Sequence, residues 1–307
     1  MNNSVLLALI VLMALPPGAF ATGAKEGVVS GKITIGLALP GSQFPFASMK
    51  SDLDATATRL GVKIVSVDAQ DDSNKQAAAI QSLVTQKVNG ILISPMTDDT
   101  LVPSLEAAAK AGIPVATVGR RANTNAVLVH VGADNEEGGR AAARYVVDTL
   151  KGKGTMIELE GPPSESVAAD RKQGFDAVMA QNPGIKILVS QAADFDRAKA
   201  TAVMASLMQK YPKFDAVFGA DDEMIIGAID AMSAAGVDPA TKVTVGYGAT
   251  ADAIAYIKAG KLGATIDQYP GKQASLALEY LVDYIKNKTP PPQKSVFLVP
   301  NKASAAP

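Results

Sequence analysis

The stretch GILISPMTDDTLVPSLEAAAKAGIPVATVGRR (residues 90–121) holds a short apolar run, a polar loop, an alanine-rich segment of helical length and a second apolar run. The second run ends in a glycine and two adjacent arginines, Arg120 and Arg121. A continuous, β-branched apolar run separated from the next by a helix reads as a parallel strand covered on both faces. The stretch therefore predicts a strand–helix–strand unit.

The same unit recurs along the chain. Strand-like runs stand at ITIGLAL (33–39), VKIVSVD (62–68), AVLVHVG (126–132), TMIELEG (155–161), IKILVSQ (185–191), DAVFGA (215–220), KVTVGY (242–247), GATIDQ (263–268) and SVFLVP (295–300). The repetition predicts an α/β fold with right-handed crossovers. About ten units are too many for one open sheet of common size. Two parallel sheets of five or six strands each are expected. The division falls near HVGADNEEGG (130–139), with a helix starting at Asn135, and NKASAAP (301–307) reads as a frayed end.

The first residues differ in kind. VLLALIVLMALPPGAFA (5–21) is a short apolar core, a Pro-Pro break and small residues at alternate positions, which reads as a secretory signal peptide over 1–21. The expected location is the periplasm, in soluble form. The chain has 307 residues, 48% hydrophobic and 19% charged, a net charge of −1 and no cysteine. Near-neutral charge gives no support for a nucleic-acid partner. Without cysteine there is no disulfide, thiolate metal site or cysteine nucleophile.

Ligands of open parallel sheets bind beyond the carboxyl ends of the strands, so the loops after the strands carry the function. None supplies a catalytic set. The one histidine, His130, lies inside an apolar strand and reads as structural. No nucleophile elbow, zinc-helix motif or phosphate loop occurs, and KGKGT (151–155) precedes a strand and reads as a turn. Asp71-Asp72-Ser73, Asp98-Asp99 and Asp221-Asp222 read as helix caps, and no acid set has calcium-loop spacing. No enzyme, cofactor or metal is expected. What exceeds these readings is aromatic: Phe44, Phe46 and Phe195 stand in post-strand loops of a chain with only 5% aromatics. Flat apolar faces beside arginines and acids suit a small ring with polar edges.

Five strings, in order and at matching spacing, resemble the periplasmic sugar-binding proteins of the ribose-binding type: ADNEEGG (133–139), ADRKQGF (169–175), SQAADFDR (190–197), DDEMIIGAI (221–229) and KLGATIDQYP (261–270). The resemblance covers essentially the whole mature chain. It implies a type I periplasmic binding protein, its two Rossmann-like parallel-sheet domains joined by three crossings near Ala133-Asp134, Gln268-Tyr269 and Phe297-Leu298. The N-terminal domain would be 25–133 plus 269–297, the C-terminal domain 134–268 plus 298–307. It also implies a monomer that closes on a sugar and delivers it to the permease of an ATP-driven (ABC) importer. Docking on a chemoreceptor, or a receptor core in signalling, is the alternative partner role.

Carried over by position, the resemblance implies that Phe46 and Phe195 stack on the ligand, that Arg120, Arg171 and Gln268 meet its oxygens, and that Asp221 stands in place of an asparagine. Phe44 replaces a polar residue. Gly119 and Gly248 stand where ribose-type members have aspartates, which argues against ribose itself. Arg120 and Arg171 against Asp221 leave one positive charge, or two if Arg121 points inward. The expected ligand is a sugar acid, or a neutral polyol if nearby acids restore the balance.

Overall fold

The computed structural model describes residues 31–43 and 45–303. The expected signal peptide, Phe44 and residues 304–307 lie outside the described residues. In chain order the first elements are β1 (Thr34–Leu39), α1 (Phe46–Leu60), β2 (Lys63–Asp68), α2 (Ser73–Thr85), β3 (Gly90–Ile93), α3 (Val102–Lys110), β4 (Val115–Val118) and β5 (Val129–Ala133). Next come α4 (Asn135–Leu150), β6 (Gly154–Glu160), α5 (Ser166–Met179), β7 (Ile185–Ala192), α6 (Arg197–Lys210), β8 (Ala216–Gly219) and α7 (Asp222–Ala234). The last are β9 (Val243–Tyr247), α8 (Ala251–Lys258), β10 (Ala264–Asp267), α9 (Pro270–Asn287), β11 (Ser295–Leu298) and β12 (Asn301–Lys302).

The strands form two six-stranded sheets, ordered β11-β5-β4-β3-β1-β2 and β12-β10-β9-β8-β6-β7. The first sheet is parallel throughout. Its inner strands β3 and β4 are buried along their whole length because both faces are covered. Leu92 packs with Leu53 of α1 and Leu278 and Leu281 of α9. Its neighbours Ile91 and Ile93 face the other way, onto Ile80 and Leu83 of α2 and Leu105 of α3. Each such side chain contributes about 1.5–3 kcal/mol on burial, so one strand ties two helical layers together. The second sheet has its own core, in which the rings of Phe175 (α5) and Phe218 (β8) stack 4.2 Å apart.

Two expectations change. The end of the chain is not frayed at 301–302: β12 pairs antiparallel with β10, Ile266 opposite Lys302 and Asp267 opposite Asn301. Asp72 and Asp221 cap α2 and α7, but Asp98 and Asp99 cap nothing. Helix α3 begins later, at Val102, where Pro103 presets the backbone of its first turn. Asp99 instead accepts a hydrogen bond from Asn123, 2.8 Å away.

The chain passes between the sheets three times. β5 of the first leads straight into α4, whose Ala142, Ala143 and Val146 lie in the second core. β10 of the second leads into α9, which packs on the first. β11 leads into β12 across Val299 and Pro300, with Phe297 and Leu298 still paired to Gly132 and Ala133.

Helices α4 and α5 touch backbone to backbone. A Cβ on Gly139 would collide with the carbonyl oxygen of Arg171, and one on Gly174 with that of Glu136. The mutual contact sets how far Arg171 stands from the start of α4. Gly174→Ala is expected to lower stability by about 1–3 kcal/mol or more, since the collision is with backbone. Urea unfolding followed by circular dichroism measures it, and an unchanged midpoint would contradict the close approach.

Candidate functional site

A cavity of about 450 Å³ lies between the carboxyl ends of the two sheets, with walls from both domains. The first domain supplies Phe46 and Met49 from the start of α1, Ser94 after β3, and Gly119 and Arg120 after β4. The second supplies Arg171 from α5, Phe195 after β7, Asp221 after β8, Tyr247 at the end of β9 and Gln268 after β10. Parallel strands deliver their following loops to one edge, which brings residues distant in sequence together.

Arg171 is the most constrained of these side chains, only 5% exposed. Its Nε donates to Asn135 Oδ1 (2.9 Å), one terminal nitrogen to the Ala220 carbonyl (2.9 Å) and the other to Gln268 Oε1 (3.1 Å). Its guanidinium carbon lies 3.8 Å from the centre of the Tyr247 ring, and the Tyr247 hydroxyl donates to Asn135 at 3.1 Å. A buried guanidinium needs such partners.

The aromatic face at Phe195 is held under strain. Asp194 and Phe195 have φ of 54° and 58°, left-handed backbone that non-glycine residues rarely adopt and that costs of order 1–3 kcal/mol each. The ring lies against Gly161, where a Cβ would strike it. In the first domain Phe46 is buried and lies 5.7 Å from the Arg120 guanidinium.

The two adjacent arginines meet the opposite domain. Arg120 donates to the Met96 carbonyl (3.1 Å) and lies 2.9 Å from Glu165 Oε2, the residue that precedes α5. Arg121 pairs with Asp170 of α5 at 2.9 Å and does not line the cavity. It therefore does not point inward, and the second positive charge allowed for it is absent. Burial pushes the Arg120 guanidinium below its usual range against the pull of Glu165, and burial pushes the Glu165 carboxyl up against the pull of Arg120.

Asp221 accepts from the Met224 N–H at 2.8 Å, and burial raises its carboxyl to about 7. Asp222 is raised to about 6 by burial, held by the Thr265 hydroxyl (2.6 Å) and the Thr250 N–H (2.8 Å). Gly248 does not line the cavity; its N–H donates to the Ile266 carbonyl. His130 lies apart, bonded to the Thr117 hydroxyl at 3.0 Å, and burial depresses it to about 4. Among the described residues no cluster of acids and histidines could hold a metal ion, and no helix is long and apolar enough to cross a membrane.

Sequence reasoning missed Glu165, Asn135, Tyr247 and Ser94. Tyr247, Glu165 and Ser94 stand in or beside post-strand loops, and that position was their only signal. Asn135 sits on a helix, where nothing local separates a polar side chain turned inward from one in solvent.

The sequence matches the periplasmic binding protein domain family over residues 35–289. It is 36% identical to the ribose import binding protein of Bacillus subtilis (strain 168) over 284 residues, covering 92% of this chain and 91% of that one. Among solved structures it superposes on an ABC transporter periplasmic solute-binding protein from Actinobacillus succinogenes 130z with bound D-allose, with TM-score 0.84, 29% identity, and 89% and 98% of the two chains covered. It also superposes on the Caulobacter myo-inositol binding protein bound to myo-inositol, with TM-score 0.83, 31% identity, and 90% and 94% covered. The chain belongs to the periplasmic binding protein family. Within it, the chain stands with the sugar-binding proteins of ABC importers.

The Asp221 carboxyl gives a pH signature. Its folded value is about 7 against 3.8 when unfolded, so the folded state holds the proton more tightly. The stability from that proton is full below about pH 4 and is lost as pH rises through 7. Asparagine caps a helix as well as aspartate does. Asp221→Asn is therefore expected to raise the melting temperature at pH 8 and to leave it unchanged near pH 4. Differential scanning calorimetry at the two pH values checks this, and an equal shift at both would remove the titration from the account.

Proposed function

We propose that this protein is the periplasmic receptor of an ABC sugar importer, a monomer that closes on one neutral polyhydroxylated ligand and presents it to the permease. Export to the periplasm rests on the leader-like residues 1–21, and closure on the three short passages between sheets, where a few backbone torsions suffice. Binding needs neither metal nor covalent chemistry. The ligand-binding set is Phe46 and Phe195 for the ring faces, with Arg120, Arg171, Asp221 and Gln268 for its oxygens. Phe44, two positions before Phe46 in the sequence, completes the proposed set.

The observation that carries the neutral ligand is the charge balance. Arg120 has Glu165 as its counterion, a residue absent from the charge count on sequence. Arg171 donates to three neutral acceptors and remains to be set against Asp221. Arg197, also on the cavity wall, is paired with Glu223 (2.8 Å) and Asp252 (2.8 Å). Two of these three cavity guanidiniums are thus ion-paired, and the third shares its wall with the carboxyls of both Asp221 and Asp222, so the sugar acid gives way to a neutral sugar or polyol. The relatives' ligands point the same way: D-allose and myo-inositol are uncharged.

Native mass spectrometry of the purified protein, followed by denaturing release and identification, tests this directly. A retained pentose, hexose or polyol is the expected finding, and a released carboxylate would overturn the neutral reading. The charge argument has its own check. Glu165→Gln frees Arg120, so the affinity for D-galacturonate relative to D-galactose should rise about tenfold or more, as for a newly unpaired buried charge. Isothermal titration calorimetry reads that ratio, and an unchanged ratio would mean Arg120 does not face the ligand.

A further inference from the structure

The cavity wall after β8 holds two adjacent carboxyl groups and no ion pair for either. Asp221 and Asp222 both line the cavity, and among the described residues neither has a cationic partner. Arg171, on the same wall, donates instead to Asn135, the Ala220 carbonyl and Gln268. Two ionised carboxylates side by side in an enclosed wall repel one another and lose hydration, so such a pair keeps a proton on one member.

The hydrogen bonds show which member. Asp222 is 1% exposed and both its oxygens accept: Oδ1 from the Thr265 hydroxyl (2.6 Å) and Oδ2 from the Thr250 N–H (2.8 Å). The Thr265 oxygen itself accepts from the Ala249 N–H (3.1 Å), so its own proton is free to point at Asp222. Donors at both oxygens hold a carboxylate in its charged form. Asp221 has one such donor, the Met224 N–H, which meets its Oδ1 at 2.8 Å. Its Oδ2 has no partner among the described residues and is not sealed in the core, so it opens onto the cavity.

The charged groups that face Asp221 are Arg171 of α5 and Asp222 and Glu223 of α7. Glu223 is paired with Arg197 of α6, which also reaches Asp252 of α8. The Arg120–Glu165 pair and the neutral Tyr247 complete the ionisable groups of the wall. One carboxylate is enough to balance Arg171, and the second is in excess.

We infer that Asp221 meets the ligand as a carboxylic acid and donates a hydrogen bond to one of its oxygens, while Asp222 carries the charge that balances Arg171. The inference rests on the sugar-receptor reading and adds a regulation to it: the complex holds a proton that the empty receptor releases at high pH. A protonated aspartate offers the ligand a donor, as an asparagine amide does, whereas the anion can only accept.

Burial raises the Asp221 carboxyl to about 7, so the empty receptor holds the proton below that pH and loses it above. Binding is therefore strongest below pH 7 and weakens as pH rises through it. Isothermal titration calorimetry on the mature protein tests this with D-allose, D-galactose, D-ribose and myo-inositol, at pH 6 and pH 8.5, each in two buffers of different ionisation enthalpy. For a ligand that binds, affinity should fall about tenfold or more from pH 6 to pH 8.5, with about one proton taken up per ligand at the higher pH and almost none at the lower. In Asp221→Asn the amide supplies the donor at both pH values, so proton uptake should vanish and the two affinities should agree within about twofold. Sugar binding without pH dependence or proton uptake would overturn the inference and leave the receptor reading standing. So would an Asp221→Asn variant that folds but binds nothing, because the site would then need an anion. Uptake that persists in that variant would overturn it too, by placing the proton on another group. If none of the four ligands binds, the receptor reading fails, and this inference with it.

Discussion

A guanidinium sealed from water between two helices and three strand ends is the constraint around which this site is organised. Arg171 needs partners for its donors, and they come from four different places: Asn135 at the start of α4, the carbonyl after β8, Gln268 after β10 and the Tyr247 ring at the end of β9. Removing any one leaves a charge in a dry site with too few bonds, a loss of several kcal/mol for buried ionic groups. The glycine contact between α4 and α5 is the geometric condition for this arrangement, since a side chain at Gly139 would push away the very backbone that carries Arg171. Packing in the helical layer and chemistry in the cavity are thus one requirement.

The architecture was legible because its cause is local. Every one of the eleven apolar runs became a strand, and the inner ones are buried along their whole length, which requires apolar residues throughout. The twelfth strand, Asn301–Lys302, carries no such signal: it is two exposed polar residues, and it exists because the edge of β10 offers backbone partners. The same contrast runs through the site. Phe46, Arg120, Arg171, Phe195, Asp221 and Gln268 stand in or near post-strand loops, and the cavity brings them together. Glu165 could not be singled out, because its importance lies in facing Arg120 from another domain, 45 residues away in sequence. Charge balance is a property of the assembled cleft, and a count over aligned positions in one chain omits the counterion.

The adjacent arginines illustrate how a loop can divide its labour. One guanidinium lines the cavity beside Phe46 while its neighbour lies outside it, yet both reach acids at the start of α5. Arg121 and Asp170 are 40% and 32% exposed, so that pair is of the kind worth at most about 1 kcal/mol and is weakened by salt. Arg120 and Glu165 are more enclosed, and for such a pair the loss of hydration offsets most of the attraction. Neither pair is strong enough to hold two domains together by itself. What they supply instead is neutrality: each guanidinium that crosses between the domains meets a carboxylate there.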